Sequence, residues 1–330
     1  MSTPLVVRLP NWVGDVCMAL PALRHLARLP GVSLQVVGKA WAGDLLAGFP
    51  WRFQRAGGGI WAEAGAIAAL GGERGVLLTN SLSTALAMRL GGVAAVGYRG
   101  DGRSLLLGMG VQRRRGEHEV EAFYRLALAC ERDSPWAYWH RRSRLEDGSP
   151  LPQDPPPRLG LVLALRHREQ AAAVLAAAGI APPYTVLCPL AIGTTHGRSK
   201  VWPEFARLCR DLVGAGRTIV ACPGPGEDAA TAAALPGATL LSGLELGAYA
   251  AILGNALRVV ANDSGPMHLA AAVDAPVAGI FGVADPARTR PWGARAVTFG
   301  GAKGWPPYEQ ILAWALDGTV LAGGGDLARR

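Results

Sequence analysis

The sequence lacks the signatures of several large functional classes. Its five cysteines are widely spaced and form no C-x-x-C pair, which argues against a zinc site and against a disulfide framework. It contains no H-E-x-x-H motif, no clustered histidines and no D-x-D pair of the kind that holds a cation against a diphosphate. A G-x-x-x-x-G-K-[ST] loop is also absent, which excludes the corresponding ATPases and kinases. We therefore expect neither a metal nor a cofactor.

Long apolar runs are missing as well, although half of the residues are hydrophobic. No uninterrupted run reaches the roughly 20 residues of a membrane span. Near the N-terminus, Leu5, Val6 and Val7 form an apolar run that is too short for a secretion signal, and Arg8 ends it. Together with the dispersed cysteines, this pattern predicts a cytoplasmic protein with reduced thiols.

Short apolar runs alternate with alanine- and leucine-rich stretches along the 330 residues, a length that allows two domains. The predicted strands are Leu5–Leu9, Leu34–Val37, Val76–Leu78, Ala94–Gly97, Tyr184–Cys188, Thr218–Cys222, Thr239–Leu241, Arg258–Ala261 and Val277–Phe281. The predicted helices include Leu82–Leu90, His118–Cys130, Trp202–Val213 and Leu246–Leu253. This alternation is typical of parallel sheets with crossover helices.

A proline-rich stretch interrupts the alternation. The segment from 146 to 158 contains five prolines and reads as a stiff linker, since proline fits neither a helix interior nor a central strand. It predicts an N-terminal domain over 1–150 and a C-terminal domain over 151–330, both doubly wound and Rossmann-like, facing each other across a cleft. Gly323–Arg330 is expected to form a loose tail.

The segment from Asn262 to Ala272 is the most informative in the chain. It follows an apolar run and leads into an alanine-rich stretch, so it predicts a strand, a turn and a helix that Ser264 or Gly265 can cap. Such a turn directs backbone N–H groups and the positive end of a helix dipole out of the sheet, where phosphates bind. Asp263, being an anion, is better suited to sugar or ribose hydroxyls.

A second candidate segment follows the first predicted strand. Residues 10–15, with the sequence Pro-Asn-Trp-Val-Gly-Asp, are predicted to form a turn, and a helix is predicted to start near Ala19–Pro21. Asp15 would then lie in a loop at the carboxyl edge of the sheet, where open α/β folds keep their ligands. The alternative is a carboxylate that stabilises a helix N-terminus.

Together these segments resemble glycosyltransferase family 9, the ADP-heptose:lipopolysaccharide heptosyltransferases. The resemblance is carried by the order and spacing of several motifs, and it is closest to the enzymes that add the second heptose. These motifs are Asn11-Trp12-Val13-Gly14-Asp15, Leu78-Thr79-Asn80-Ser81, Gly97-Tyr98-Arg99-Gly100, Cys188-Pro189, Lys200-Val201-Trp202-Pro203, Asp263-Ser264-Gly265-Pro266-Met267-His268 and Phe281-Gly282. The resemblance implies the GT-B fold, an ADP-sugar donor, and a lipopolysaccharide inner-core acceptor.

The resemblance and the residue types together suggest a role for each candidate. Asp15 is expected to act as the catalytic base of an inverting transfer. The departing diphosphate is expected to be stabilised by a lysine, two hydroxyls, backbone N–H groups and a histidine. These are Lys200, Thr194, Thr195, the N–H groups near Ser264, Gly265 and Met267, and His268. The alternative for His268 is a side chain that simply packs.

Three assignments stay open at the donor site. Glu227 or Asp228 is placed to accept hydrogen bonds from ribose hydroxyls, and the sequence does not decide between them. Leu244 matches an adenine-contacting position of the family, or is a core leucine. The Thr194-Thr195-His196 register can shift by one, and its threonine pair is more similar to the first-heptose enzymes. The transfer step and the donor sugar are therefore undetermined.

The chain is basic, with a formal charge of +8 and a pI near 9.7. Basic runs occur at Arg113–Arg115 and His140–Arg144, with Arg99 and Arg103 nearby. They indicate either a solvated surface or attraction to an anionic membrane and a phosphorylated glycolipid. No nucleic-acid module is present. The candidate acceptor residues are Asn11, Trp12, Asn80, Ser81, Arg99, Arg113, Arg114 and Arg115.

The sequence therefore predicts a glycosyltransferase peripheral to the cytoplasmic face of the inner membrane. Two other functions remain open. One is a catalytically silent nucleotide-sugar-binding protein, although such a relative is expected to lose Asp15, which is present here. The other is a sugar-nucleotide epimerase of the same architecture.

Overall fold

The computed structural model describes residues 2–132, 152–195 and 197–320. The chain divides into two compact units, Met1–Pro156 and Pro157–Arg330. Several sequence-based predictions lie outside the described residues. They are the boundary between residues 150 and 151, the linker residues 146–151, the basic run His140–Arg144, His196 and the tail Gly323–Arg330.

The first unit is built around a six-stranded sheet in which all strand pairs are parallel. Its strands are β1 (Thr3–Arg8), β2 (Val32–Gly38), β3 (Arg52–Arg55), β4 (Arg74–Leu77), β5 (Ala94–Tyr98) and β6 (Met109–Val111). Its described helices are α1 (Val13–Ala27), α2 (Ala40–Leu45), α3 (Ile60–Ala68), α4 (Leu82–Leu90) and α5 (Glu119–Arg132), with a short 3-10 turn at Arg103–Leu105. The strand order is β3-β2-β1-β4-β5-β6.

The second unit repeats this plan. Its strands are β7 (Thr185–Cys188), β8 (Thr194–Thr195), β9 (Arg198–Ser199), β10 (Ile219–Ala221), β11 (Thr239–Leu240), β12 (Arg258–Asn262), β13 (Val277–Phe281) and β14 (Ala296–Gly300). Its described helices are α6 (Leu165–Ala177), α7 (Phe205–Gly214), α8 (Asp228–Ala234), α9 (Leu246–Gly254), α10 (Gly265–Ala272), α11 (Pro286–Thr289) and α12 (Tyr308–Asp317). The main sheet is parallel with the order β11-β10-β7-β12-β13-β14, and β8 and β9 form a small antiparallel hairpin.

The strand order determines where each unit can bind a ligand. Both sheets run outward in two directions from a central pair, β1 and β4 in the first unit and β7 and β12 in the second. The connections leaving such a pair pass to opposite faces of the sheet, so a crevice opens at its carboxyl ends. The predicted doubly wound α/β class is confirmed in both units, and each unit has one such switch point.

Burial of apolar strand and helix faces explains why these elements form. In the first unit, Val6, Val37 and Leu77 pack from the sheet against helix residues such as Ile67 and Met88. In the second, Trp202, Phe205 and Trp314 belong to a core that also includes Leu187 and Val260. Central strands buried on both faces are nearly continuous apolar runs, which is why the sequence revealed them. Among the described residues, no helix combines the length and apolarity needed to cross a bilayer.

The start of α1 corrects one sequence-based prediction. The helix begins at Val13, well before the expected Ala19–Pro21, and Pro21 lies inside it. An internal proline costs a helix one hydrogen bond and about 3 kcal/mol. Here most residues from Val16 to Leu26 are buried, and this packing outweighs the local preference. Asp15 therefore lies in the first turn of a helix rather than in a loop.

Other differences follow from polar or interrupted patterns. The sequence did not reveal β3, β6 and β14, which are all edge strands with weaker apolar patterns. The helix predicted from Trp202 begins at Phe205, since Trp202 lies in the preceding loop. Ser264 occupies the N-cap of α10, but its hydroxyl donates to the carbonyl of Asn262 at 3.2 Å and does not cap the helix.

Candidate functional site

The centre of the second unit's candidate site is an ion pair at the switch point between β7 and β12. Lys200 Nζ donates to Asp263 Oδ2 at 2.7 Å, and the Thr289 hydroxyl lies 3.5 Å from Asp263 Oδ1. The Asp263 side chain is 8% exposed, whereas that of Lys200 is 24% exposed. The lysine side chain is therefore partly exposed to solvent, whereas the carboxylate side chain is largely buried.

A small surface pocket adjoins this pair. It is a shallow depression, and the carboxyl end of β13 contributes most of its lining. The lining residues are Lys200, Asp263, Ile280, Phe281, Gly282, Val283 and Ala284. A Cβ atom on Gly282 would lie 2.1 Å from the Trp305 ring, so only glycine fits there without moving the indole.

The N-terminus of α10 lies directly after Asp263. The first N–H groups of a helix have no partner within the helix, and Pro266, at its second position, has no N–H to offer. The Met267 N–H donates to the Ser264 carbonyl at 3.2 Å, and the Met267 side chain is fully buried. Of the predicted N–H groups, those of Ser264 and Gly265 are therefore the best placed for an anion. His268 is buried in the same helix, with 4% exposure.

The loop between β7 and α7 carries the predicted hydroxyls. Thr194 and Thr195 form β8, which pairs with β9 so that Thr194 faces Ser199 and Thr195 faces Arg198. Thr194 is exposed and Thr195 half-buried. The sequence did not reveal this hairpin, because its strands are only two residues long. It brings the threonines and Lys200 onto one loop at the carboxyl edge of the sheet.

The acidic pair Glu227 and Asp228 lies at the edge after β10, beside β7 in the sheet. Glu227 is half-buried and its Oε2 accepts from the Gly224 N–H at 2.9 Å, whereas Asp228 is exposed and accepts from the Ser242 hydroxyl. Leu244 follows β11 and is half-buried. The candidate donor residues after β7, β10 and β11 thus lie at the carboxyl ends of neighbouring strands in the sheet.

The first unit has a corresponding arrangement at β1 and β4. Asp15 is half-buried in the first turn of α1, where the helix dipole favours a carboxylate. Trp12, 62% exposed, precedes the helix, and Lys39 Nζ lies 5.6 Å from the centre of its ring. Asn11 Oδ1 accepts from Arg8 Nη2 at 3.1 Å. The segment after β1 thus presents an acid, an amide and an indole.

In the sequence, Arg8 only marks the end of an apolar run. It is buried, its Nε donates to Glu63 Oε1 at 2.6 Å, and it also donates to the Leu9 carbonyl. A charged residue at the end of an otherwise apolar strand was the signal that could have indicated this role. Arg8 ties the Asn11 segment to α3.

Arg103 is a second buried arginine with a structural role. It was predicted to belong to a basic surface, but it is 4% exposed and donates to the carbonyls of Asn80, Tyr98 and Arg99 and to Asn80 Oδ1. Multiple backbone acceptors explain its burial, since they satisfy the guanidinium donors. Arg103 therefore links the loops after β4 and β5 instead of facing a ligand.

The remaining acceptor candidates follow neighbouring strands. Asn80 and Ser81 precede α4, Asn80 is exposed, and the Ser81 hydroxyl lies 2.6 Å from that of Ser83. Arg99 is exposed and its Nε donates to the Gly110 carbonyl at 2.8 Å.

The three arginines after β6 differ in their contacts and exposure. Arg113 pairs with Glu119 and lies over the Tyr98 ring at 5.6 Å. Arg114 and Arg115 are exposed. The last two are thus the members of the run that are best placed to meet an anionic surface.

Burial disfavours ionisation of the thiols near both candidate sites. Burial raises the pKa of Cys17, and the carboxylate of Asp15 raises it further. Burial also raises the pKa of Cys188 to about 12, at the end of β7. A thiol with so high a pKa is a poor nucleophile at neutral pH. Within residues 2–132, 152–195 and 197–320, no group of three or more histidine, cysteine or acidic side chains is arranged to hold a metal ion.

Comparisons with known proteins agree with the motifs. The family described as Glycosyltransferase family 9 (heptosyltransferase) matches residues 67–309. A curated relative, lipooligosaccharide heptosyltransferase 2 of Haemophilus influenzae, is 27% identical over 318 residues, which cover 87% of this chain and 85% of that protein.

Two solved structures from Escherichia coli are similar to most of the chain. ADP-heptose lipopolysaccharide heptosyltransferase II has a TM-score of 0.71 and 24% identity, with 90% of each chain covered. A heptosyltransferase solved with ADP has a TM-score of 0.66 and 20% identity, covering 90% of this chain and 93% of that one. These likenesses confirm the predicted GT-B fold.

Proposed function

The chain belongs to glycosyltransferase family 9, and from this premise we propose that it transfers heptose from ADP-L-glycero-D-manno-heptose to the inner core of lipopolysaccharide. The acceptor is a glycolipid of the heptosyl-Kdo-lipid A type, and the transfer inverts the anomeric carbon. The names of the relatives support both substrates, since the curated one is a lipooligosaccharide heptosyltransferase and a solved one contains ADP. The first unit binds the acceptor and the second binds the donor.

One observation carries the donor assignment: the Lys200–Asp263 pair at the switch point of the second sheet. The partly exposed lysine offers a compact positive charge to a diphosphate, and the N–H groups of Ser264 and Gly265 directly follow its partner Asp263 in the chain. Asp263 accepts hydrogen bonds from Lys200 and from donor hydroxyls. Thr194, Thr195 and His268 supply further hydrogen-bonding groups, and Glu227 or Asp228 binds the ribose.

The chemical step requires a base and a stabilised leaving group. The Asp15 carboxylate removes the proton from the acceptor hydroxyl, and that oxygen attacks the anomeric carbon on the face opposite the diphosphate. The bond to ADP breaks as the new glycosidic bond forms, which inverts the configuration. Lys200 and the helix N–H groups offset the negative charge that develops on the departing ADP, so the reaction needs no metal ion.

The acceptor site is assigned to the carboxyl edge of the first sheet. Asn11, Trp12, Asn80 and Ser81 follow the central strands β1 and β4, and the exposed arginines follow β5 and β6. Planar guanidinium groups suit the phosphates and carboxylates of an inner core. Their charge also supports peripheral binding to the anionic cytoplasmic face of the inner membrane.

The test is to incubate the protein with ADP-heptose and a panel of truncated core acceptors and to identify the products by mass spectrometry. One acceptor is expected to gain one heptose while ADP is released in equal amount, with or without excess EDTA. Release of free nucleotide diphosphate without any lipid acceptor would indicate the epimerase instead. Binding of ADP without either product would indicate a silent protein, and inhibition by EDTA that magnesium reverses would contradict the metal-free step.

A further inference from the structure

We infer that Asn262 is a positioning residue of the donor site, whose side-chain amide holds both ends of the loop 190–201 and so places Lys200 against Asp263. Its relevance to donor binding rests on the proposed function, whereas the contacts themselves do not.

Both polar atoms of the Asn262 amide are engaged at the two ends of this loop. Nδ2 donates to the Pro189 carbonyl at 2.6 Å, just before the loop begins. Oδ1 accepts from the Trp202 backbone N–H at 2.9 Å, just after the loop ends. Asn262 is fully buried, so these contacts are shielded from water. Hydrogen bonds are stronger in the protein interior than in water because the effective dielectric constant is lower there. A single side chain thus clamps the two ends.

The clamp is attached to rigid parts of the unit. Asn262 is the last residue of β12, and its backbone pairs with Ile280 of β13. Trp202 is buried in the core, with its ring edge-to-face with Phe205 and stacked on Tyr308. Pro189 directly follows β7, whose Cys188 is paired with the residue before Asn262. The two ends of the loop are therefore held in place independently of the conformation of its middle.

The middle of the loop has far less support. Ile192 is 75% exposed, and the β8–β9 hairpin is largely exposed. Lys200 lies two residues before Trp202, and its ammonium reaches Asp263, the residue after Asn262. The dipeptide Asn262–Asp263 therefore contacts the loop at Pro189, at Lys200 and at Trp202. The first and last of these contacts set the position from which Lys200 reaches its partner.

The two contacts require one donor and one acceptor at separate atoms, which the asparagine amide provides. In Asn262→Asp, the carboxylate can still accept from Trp202 N–H, but its other oxygen would oppose the Pro189 carbonyl oxygen. Asn262→Ser offers a hydroxyl on a shorter side chain, which cannot reach both partners. Either change leaves a buried backbone group unsatisfied, and such a group is expected to pull away towards water.

Two measurements test the inference, and one of them is independent of the nucleotide. Calorimetry gives the affinity for ADP, which is expected to fall at least tenfold in Asn262→Asp because Lys200 is displaced. Limited trypsin digestion, read by mass spectrometry, gives the rate of cleavage after Arg198 and Lys200. That rate is expected to rise at least fivefold. Asn262→Ser is measured in parallel. If the aspartate variant does not fold, the results for the serine variant are used instead.

Two control variants separate positioning from general destabilisation. Val260→Ala leaves a cavity in the same strand and in the core that contains Trp202, but it keeps both hydrogen bonds of Asn262. Asn255→Asp makes the same chemical change at an exposed position of the same unit. Both are expected to retain parental ADP affinity, and Val260→Ala is expected to show less than a twofold rise in cleavage within the loop. Thermal unfolding of each variant verifies that the stability losses of Val260→Ala and Asn262→Asp are comparable.

Unchanged loop cleavage or unchanged ADP affinity in the folded Asn262 variant overturns the inference, and so does equal cleavage in Val260→Ala. If the parent protein does not bind ADP, the proposed function fails. The cleavage rates alone then decide whether Asn262 holds the loop.

Discussion

Removing the ammonium of Lys200 is the most direct test of the donor site. In Lys200→Met, the protein loses the accessible charge that is proposed to contact the diphosphate, while the side chain keeps a similar length. A charge-assisted hydrogen bond contributes about 1.5–3 kcal/mol, which corresponds to a loss of roughly 10- to 150-fold in affinity. Loss of this contact alone is expected to weaken ADP binding by a factor in this range.

The structure adds a second contribution to that loss. Asp263 is 8% exposed and lies 2.7 Å from the lysine ammonium, so Lys200→Met leaves its carboxylate without this neutralising charge. Two like charges about 4 Å apart repel by about 4 kcal/mol at an effective dielectric constant of 20, an upper estimate for a site open to solvent. The double variant Lys200→Met/Asp263→Asn removes this repulsion. It is therefore expected to bind ADP about tenfold tighter than Lys200→Met alone.

The assay is calorimetry with ADP on the parent, the two single variants and the double variant, which together form a double-mutant cycle. Asp263→Asn alone is expected to leave ADP affinity nearly unchanged and to raise the KM for ADP-heptose. Lys303→Met, an exposed lysine of the same unit, is the matched control. The reasoning is refuted if Lys200→Met binds ADP within twofold of the parent, or if the two changes are simply additive.

Three further predictions concern the first unit. Asp15→Asn is expected to lower kcat by about 10²–10⁴ and leave ADP affinity unchanged, because it removes the base but not the donor contacts; turnover within tenfold of the parent would contradict this role. Replacing Arg114 and Arg115 with serine is expected to raise the acceptor KM and to weaken binding to anionic vesicles at low salt, and unaltered vesicle binding would mark them as an ordinary solvated face. Arg8→Met leaves the Glu63 carboxylate buried without its partner and is expected to lower the free energy of unfolding, measured with urea, by about 3–5 kcal/mol. The double variant Arg8→Met/Glu63→Met is expected to regain part of this loss.

The sequence predicted the strand, turn and helix around Asp263 correctly because their features are local. The turn between β12 and α10 is encoded by a buried apolar strand followed by Ser264, Gly265 and Pro266, all of which favour that geometry. The helix around Asp15 was misplaced for the opposite reason. Gly14 and Pro21 are poor helix formers, and only the burial of the residues between and after them makes α1 continuous.

The buried polar contacts could not be predicted from the sequence because each joins residues that are far apart in the chain. Arg8 reaches Glu63, Arg103 reaches Asn80, and Asn262 reaches Pro189. No periodicity or motif encodes such a pair, since the partners become neighbours only when the strands assemble.

The sequence by itself determined the α/β class, the family and the motifs on which the site is built, because hydrophobic period and turn chemistry act over a few residues. Tertiary structure alone decided which charged side chains remain accessible. It buries Arg8 and Arg103 and leaves Arg114 and Arg115 exposed, although all four are arginines near the carboxyl edge of one sheet. The difference arises because a guanidinium is buried only where carbonyl or carboxylate oxygens replace its hydration, and the packing of distant strands and loops determines where those oxygens lie.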